Sequence, residues 1–486
     1  MAGIAAVFKG KGITPNDMKT LHSMMKKTTH RGCDDVQFLG SEHVLMSVGI
    51  LPYEAKQNHI WKSPDGTGAV VCDGRVLGPN MDRLDGERVA GICEKCDLDA
   101  LNSLNGAFAI AGFNEGNLYI ARDFLGMKPL YQGRNNGDLY LSSELKGIPA
   151  FVDRIDLFPP GHFYSKDSGL RRYFDFSAAS KQPQSVEILK KRVSANLEKA
   201  VSTALRLNTK GKNIGALLSG GIDSSIITAI LSRKVPDLDT FTVGTPGSED
   251  LKYARKAAEF LGTNHHEATY TPEQIIGVLD DVVYHLESYE YATVRSAVAN
   301  YFAAKEAAKY TSAVFVGEGG DENYGGYHHL KADRQSLNEE LINLLESSHN
   351  IGCQRIDRMN MRFSLQVYAP FLNKDLVVLP SLRIPPNFKI FGSSKVEKWI
   401  LRKSFENYLP EELIWRSKKQ FARGAGFESI LRRFIGNLIS DEQFEDEIRR
   451  IPGGPVRTKE ELFYFKIFKK RFPHPDAPKT VGRWDE

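Results

Sequence analysis

Ile214-Gly-Ala-Leu-Leu-Ser-Gly-Gly-Ile-Asp-Ser-Ser-Ile-Ile-Thr-Ala-Ile230 is an apolar run, a glycine turn and an amphipathic run in immediate succession. The first run, ending at Leu218, predicts a buried strand, and the run starting near Asp223 predicts a helix. Between them Ser219, Gly220 and Gly221 form a turn with little side-chain obstruction, so backbone N–H groups at the helix N-terminus can close on an anion. A phosphate chain suits such a turn. No Lys follows the glycines, so this is not the G-x-x-x-x-G-K-[ST] loop; an Asp stands there instead. A carboxylate facing polyphosphate is repelled unless a divalent cation lies between them, so Asp223 predicts Mg²⁺.

A second stretch, Val316-Gly-Glu-Gly-Gly-Asp-Glu-Asn-Tyr-Gly-Gly326, has the same logic. Its glycines let Glu318, Asp321 and Glu322 approach a ligand from a loop, and a cluster that acidic calls for a cation. Around these stretches, apolar residues at Val186, Leu189, Val193, Leu197, Val201 and Leu205 predict a helix over Ser185–Leu207. Thr240–Gly244 and Ala313–Val316 predict strands, with a helix from about Asp250 to Leu261. This alternation predicts an α/β domain with a parallel sheet whose ligands bind at the C-terminal strand ends.

The preceding residues differ in pattern. Short β-like runs at Ile4–Phe8, Gly68–Cys72, Ala107–Phe113, Leu118–Ala121 and Leu139–Ser142, with one helix near residues 15–27, predict an α+β domain of stacked antiparallel sheets. Pro159-Pro-Gly161 is expected to end that tract, and Lys181-Gln-Pro-Gln-Ser185 to link the domains. The expected boundaries are 1–182 and 185–486. The 486 residues suffice for two such cores.

Composition excludes several function classes. A net charge of +4, from 64 Lys and Arg against 60 Asp and Glu, is too balanced for a nucleic-acid binder. No apolar segment reaches the length of a membrane span, and the first residues are too short for a signal segment. Five cysteines, Cys33, Cys72, Cys93, Cys96 and Cys353, are an odd and sparse set that predicts reduced thiols and a cytoplasmic protein. Cys93-Glu-Lys-Cys96 lacks the second pair that a zinc site needs.

Ser219-Gly-Gly-Ile-Asp-Ser-Ser225 resembles the pyrophosphate-binding loop of enzymes that cleave ATP to AMP and pyrophosphate. Its surroundings resemble glutamine-dependent asparagine synthetase and its relative β-lactam synthetase. The resemblance extends to Phe241–Ser248, Gly262–Glu267, Lys395–Arg402 and Leu409–Phe421. It implies ATP and Mg²⁺ as cofactors, with pyrophosphate held by Ser219, Gly220, Gly221, Ser224 and Ser225, and the metal by Asp223 and Asp321. Adenine would lie against Leu217, Val243 and Gly317, and Lys398 on the phosphates. Glu318 would take a proton from the attacking amine, and Lys418 would offset developing charge. The implied partner is a small amino-acid-like substrate, and a homodimer is allowed. His265 and His266 carry no expected catalytic role.

Leu104–Ala109, Ala121–Tyr131, Ser142–Lys146 and His30-Arg-Gly-Cys-Asp34 resemble the glutaminase domain of the same family, which implies an Ntn-hydrolase-like fold. The chemistry does not carry over. That family opens its mature chain on a Cys nucleophile, whereas Ala2 would follow Met1 here. Its Asn-Gly-Glu becomes Asp73-Gly74-Arg75, which replaces attraction for the glutamine ammonium with repulsion. Its Arg-Val-Pro-Phe-Leu-Asp becomes Tyr368-Ala-Pro-Phe-Leu-Asn373, which removes two charges expected beside an amino-acid acceptor. Three functions remain open: amide closure within one substrate, ammonia-dependent amidation, and a nucleotide-binding scaffold without catalysis.

Overall fold

A computed structural model describes residues 2–32, 35–54, 56–176, 185–207, 213–332, 336–418, 421–451 and 454–484. Cys33 and Asp34 of the His30–Asp34 motif, linker residues 181–184, and Lys419 and Gln420 of the Leu409–Phe421 motif lie outside the described residues. The chain forms two compact units, Met1–Ser177 with Phe472–Val481, and Ala178–Arg471 with Gly482–Glu486. The first therefore includes a C-terminal stretch that sequence spacing does not assign to it. His474 Nε2 lies 3.0 Å from the Val152 carbonyl, and Ile155 N donates to Asp476 at 3.2 Å.

In the first unit two six-stranded antiparallel sheets supply one core. Ala2–Phe8 pairs with Val44–Ile50 on one side and Asp138–Ser142 on the other. In the second sheet Asn105–Asn114 lies between Gly68–Leu77 and Asn117–Arg122. Alternate residues Ala2, Ile4, Ala6 and Phe8 meet Ala109, Ala111 and Phe113 in that core. Helix Pro15–Lys26 contacts the strand as well, and all of Ala2–Phe8 is buried, which is why it reads as an unbroken apolar run. Pro159-Pro-Gly161 does not end the tract: His162–Ser165 follows, paired with Gly169–Arg172 and Asn117–Arg122.

The second unit holds a five-stranded parallel sheet in the order Asn264–Thr269, Asp239–Gly244, Ile214–Leu217, Ala313–Phe315, Gln366–Tyr368. The chain steps outward from Ile214–Leu217 through two strands, then returns to lay Ala313–Phe315 on the other side. Strand order thus reverses between Ile214–Leu217 and Ala313–Phe315, and a crevice opens beyond their C-terminal ends. The two glycine-rich loops both leave from those ends.

Candidate active site

Helix Ile222–Ser232 starts directly after Gly221, so the Ser219–Gly221 turn stands at its N-terminus. The turn is held from within: Ser224 Oγ donates to the Gly221 carbonyl at 3.1 Å and lies 3.1 Å from Ser219 Oγ. Arg416 fastens it from outside. One guanidinium nitrogen donates to the Ser219 carbonyl at 3.2 Å, another to Asp250 Oδ1 at 2.8 Å, and the group stacks over Tyr253 at 4.1 Å. Burial pushes the Asp250 carboxyl up to about 6 despite that ion pair.

The Gly317–Asp321 loop closes on this turn. A Cβ at Gly317 would sit 2.6 Å from Ser224 N, and one at Gly320 would sit 2.4 Å from Asp223 Oδ1. Only a residue without a side chain permits that approach. Gly317→Ala is expected to cost roughly 1–3 kcal/mol by overpacking and to weaken nucleotide binding, read by thermal melts and calorimetry.

Across the junction Asp223 and Asp321 share cations. Lys398 Nζ contacts Asp223 Oδ2 and lies 2.7 Å from Asp321 Oδ1, while Lys418 Nζ lies 2.5 Å from Asp321 Oδ2. Burial alone would raise the Asp321 carboxyl, but the two ammonium groups hold it below its ordinary value. Burial would likewise lower Lys418, but the Asp321 and Asp223 carboxylates hold it above its ordinary value, so it is charged at neutral pH. Asp223 Oδ1 is buried and has no hydrogen-bond partner among the described residues. A carboxylate oxygen so placed, beside a second carboxylate, fits Mg²⁺, which takes few protein ligands and completes its shell with phosphate and water. Among the described residues no three His, Cys, Asp or Glu side chains gather into a metal site of their own.

These groups border one cavity of about 230 Å³. Of the residues expected from sequence, Leu217, Ser219, Gly221, Asp223, Ser224, Val243, Gly317, Glu318, Asp321 and Lys418 line it. Three expected residues do not. Gly220 turns at φ +68° beneath Tyr253 and Ala254, and Ser225 is buried with its hydroxyl unpartnered among the described residues. Lys398 is 0% exposed and reaches the site only through the two aspartates.

Folding adds residues that sequence reasoning did not assign. Arg355 pairs with Glu318 Oε2, and Arg416 and Asp250 brace the turn. Asn300 lines the cavity with a buried carboxamide nitrogen that finds no partner among the described residues, a donor set for a ligand. Tyr327 donates to Glu322 Oε1 at 2.6 Å. None of these was legible, because each acts through a partner set by the fold or through a wall position that the fold creates. The Arg416 signal lay nearest, two residues before Lys418 in the quoted motif.

Burial, then the Glu318 and Asp321 carboxylates, push Glu322 up to about 7 from an ordinary 4.5. The folded form holds this proton more tightly than the unfolded chain, so ionisation removes stability as pH rises from 4.5 to about 7. Glu322→Gln is therefore expected to melt above wild type at about pH 8, by about 3 kcal/mol at most. The gain should vanish below pH 4.5, in melts without nucleotide or metal.

Two expectations require correction. Tyr368 stacks on Phe315 with centroids 4.9 Å apart, and Asn373 Oδ1 accepts from Leu376 N at 3.0 Å as a helix cap. Neither lines the cavity, so the two altered residues strip no charge from its wall. Arg75 does not stand as a free repelling charge, since its guanidinium pairs with Glu54 at 2.7 Å. His265 and His266 have packing roles, beside Thr240 at 2.9 Å and between Phe241 and Tyr310.

The family model described as asparagine synthase matches residues 192–349 and 329–485, and the glutamine amidotransferase domain matches residues 79–150. The chain is 35% identical over 425 residues to asparagine synthetase B [glutamine-hydrolyzing] of Escherichia coli (strain K12), covering 82% of this chain and 75% of that protein. It is 33% identical to the probable asparagine synthetase of Schizosaccharomyces pombe, covering 79% and 75%. Against asparagine synthetase 1 of Saccharomyces cerevisiae it is 32% identical, covering 100% of this chain and 96% of that one. With the glycine turn, the acidic loop and Lys418 on the wall of one cavity, this chain belongs to the asparagine synthetase family, ATP-dependent ligases that form carbon–nitrogen bonds.

Proposed function

We propose that the chain adenylates a substrate carboxylate with ATP and forms an amide without taking nitrogen from glutamine, the amine belonging to the same substrate, as in β-lactam synthetase. Ala2 carries this reading. It starts the central strand of its sheet, its backbone nitrogen donates to Asp73 at 3.2 Å, and Asp73 is clamped by Arg31 at 2.8 Å. A methyl group stands where glutamine chemistry needs a thiolate.

In this scheme Asp223 and Asp321 hold Mg²⁺, which would supply positive charge to the phosphates. The Ser219–Ser225 turn takes the pyrophosphate. The carboxylate oxygen attacks the α-phosphorus and pyrophosphate leaves, with Lys418 offsetting the charge. The amine then attacks the acyl carbon and AMP departs, while Glu318, oriented by Arg355, accepts the amine proton. Glu318 also favours a second reading, in which free ammonia is the nucleophile, because the resemblance there is to asparagine synthetase. A non-catalytic scaffold has no physical need to keep Asp223, Asp321 and Lys418 on one cavity wall.

Pyrophosphate release from Mg-ATP, assayed with diamino acids, amino-carboxylates and aspartate, each with and without ammonium, separates these. Release without ammonium, with a product lighter by one water, is the expected result. Asparagine from aspartate plus ammonium would establish the second reading instead, and ATP binding with no release under any condition would leave the scaffold.

A further inference from the structure

A second cavity, of about 920 Å³, adjoins the first and shares Tyr327, Lys418 and Trp484 with it. The Tyr327 and Trp484 rings meet edge to face at 4.9 Å, and Tyr327 also holds Glu322, so the shared wall lies on the acidic-loop side of the nucleotide site. The volume falls in the range of pockets that take whole small ligands, about 300–1,000 Å³.

The chamber is basic. Arg295, Lys418, Arg423, Arg432 and Lys459 line it against two carboxylates, Glu428 and Glu460. One cation spans both carboxylates, since Arg295 binds Glu460 at 2.7 and 2.5 Å and reaches Glu428 at 3.4 Å, which leaves one negative charge against the remaining arginines. Lys459 pairs with Asp441 at 2.8 Å, and Lys418 with Asp321. Arg423 and Arg432 remain, with no ion pair among the described residues. Two unpaired guanidinium groups in a concave wall favour anionic groups over neutral ones.

We infer that this chamber binds the part of the substrate remote from the reacting carboxylate, and that this part is itself anionic: the substrate carries further acidic groups and is larger than a free amino acid. Its reacting end passes Tyr327 and Trp484 to reach Lys418 and the nucleotide. This inference rests on the adenylation proposed above, and formation of asparagine from aspartate plus ammonium would overturn it. Inorganic pyrophosphate is the competing occupant, but the chamber is far larger than a diphosphate, and two of its three shared residues stand at the acidic loop rather than at the phosphate turn.

Calorimetry on the full chain with Mg²⁺ and a non-hydrolysable ATP analogue tests it, with triglutamate, trialanine and inorganic pyrophosphate as probes. Triglutamate is expected to bind at least about tenfold tighter than trialanine, and R423E/R432E to remove that preference. Both arginines are exposed and outside the nucleotide cavity, so the variant should bind the ATP analogue as wild type does. Equal affinity for triglutamate and trialanine in wild type would overturn the inference, as would a response of the arginine variant confined to pyrophosphate. Failure of the wild type to bind the ATP analogue would instead count against the adenylation reading, and the two failures are read from separate titrations.

Discussion

Replacing Lys418 with Ala is expected to lower pyrophosphate release from Mg-ATP by about a hundred- to a thousandfold, the effect of removing one preorganised charge donor from a reaction centre. The ammonium lies on the cavity wall, 2.5 Å from Asp321 Oδ2, and two carboxylates keep it charged at neutral pH. Its side chain is 20% exposed, so solvent can fill the gap and the variant should fold. Single-turnover release of pyrophosphate, beside a melt matching wild type, is the measurement. A rate within a fewfold of wild type would remove Lys418 from the chemistry. Lys398 gives the contrast: it is wholly buried, and its loss would leave Asp223 and Asp321 facing each other, so Lys398→Ala should fail by unfolding.

The second large effect is on stability and lies in the other unit. Arg31→Ala is expected to destabilise it by about 3–5 kcal/mol, the cost of leaving buried charges without their partner. Arg31 is 0% exposed and bridges Asp73 at 2.8 Å and Glu144 at 2.9 Å, both also 0% exposed. Glu144 keeps Lys146 at 2.5 Å and His30 at 3.0 Å. Among the described residues Asp73 would keep the Ala2 backbone and a weak 3.4 Å contact from Ser143, so it carries most of the penalty. Denaturant unfolding of wild type and variant measures this, and a loss under about 1 kcal/mol would mean that water reaches the cluster.

What was legible in the sequence was local. Glycines flanking Asp223 and Asp321, with apolar runs before them, set two strand-to-loop corners, because a carboxylate can approach a ligand closely only where neighbouring side chains are absent. The 3.6-residue spacing of Val186 to Leu205 likewise fixed the helix Val186–Arg206 to within a residue at each end. Resemblance supplied the roles of Lys398 and Lys418, which composition alone would leave as solvated helix lysines.

Tertiary structure decided the pairings. That Lys398 lies beneath the aspartates, that Arg355 holds Glu318 across 37 positions, and that Arg416 fastens Ser219 from 197 positions away depend on which strands become neighbours. It also paired Arg75 with Glu54, and took Tyr368 and Asn373 out of the cavity by using them to stack and to cap. A motif carries the backbone geometry of its own few residues, whereas the charge and accessibility of a side chain are set by groups brought beside it through folding, and those groups lie far away in the chain.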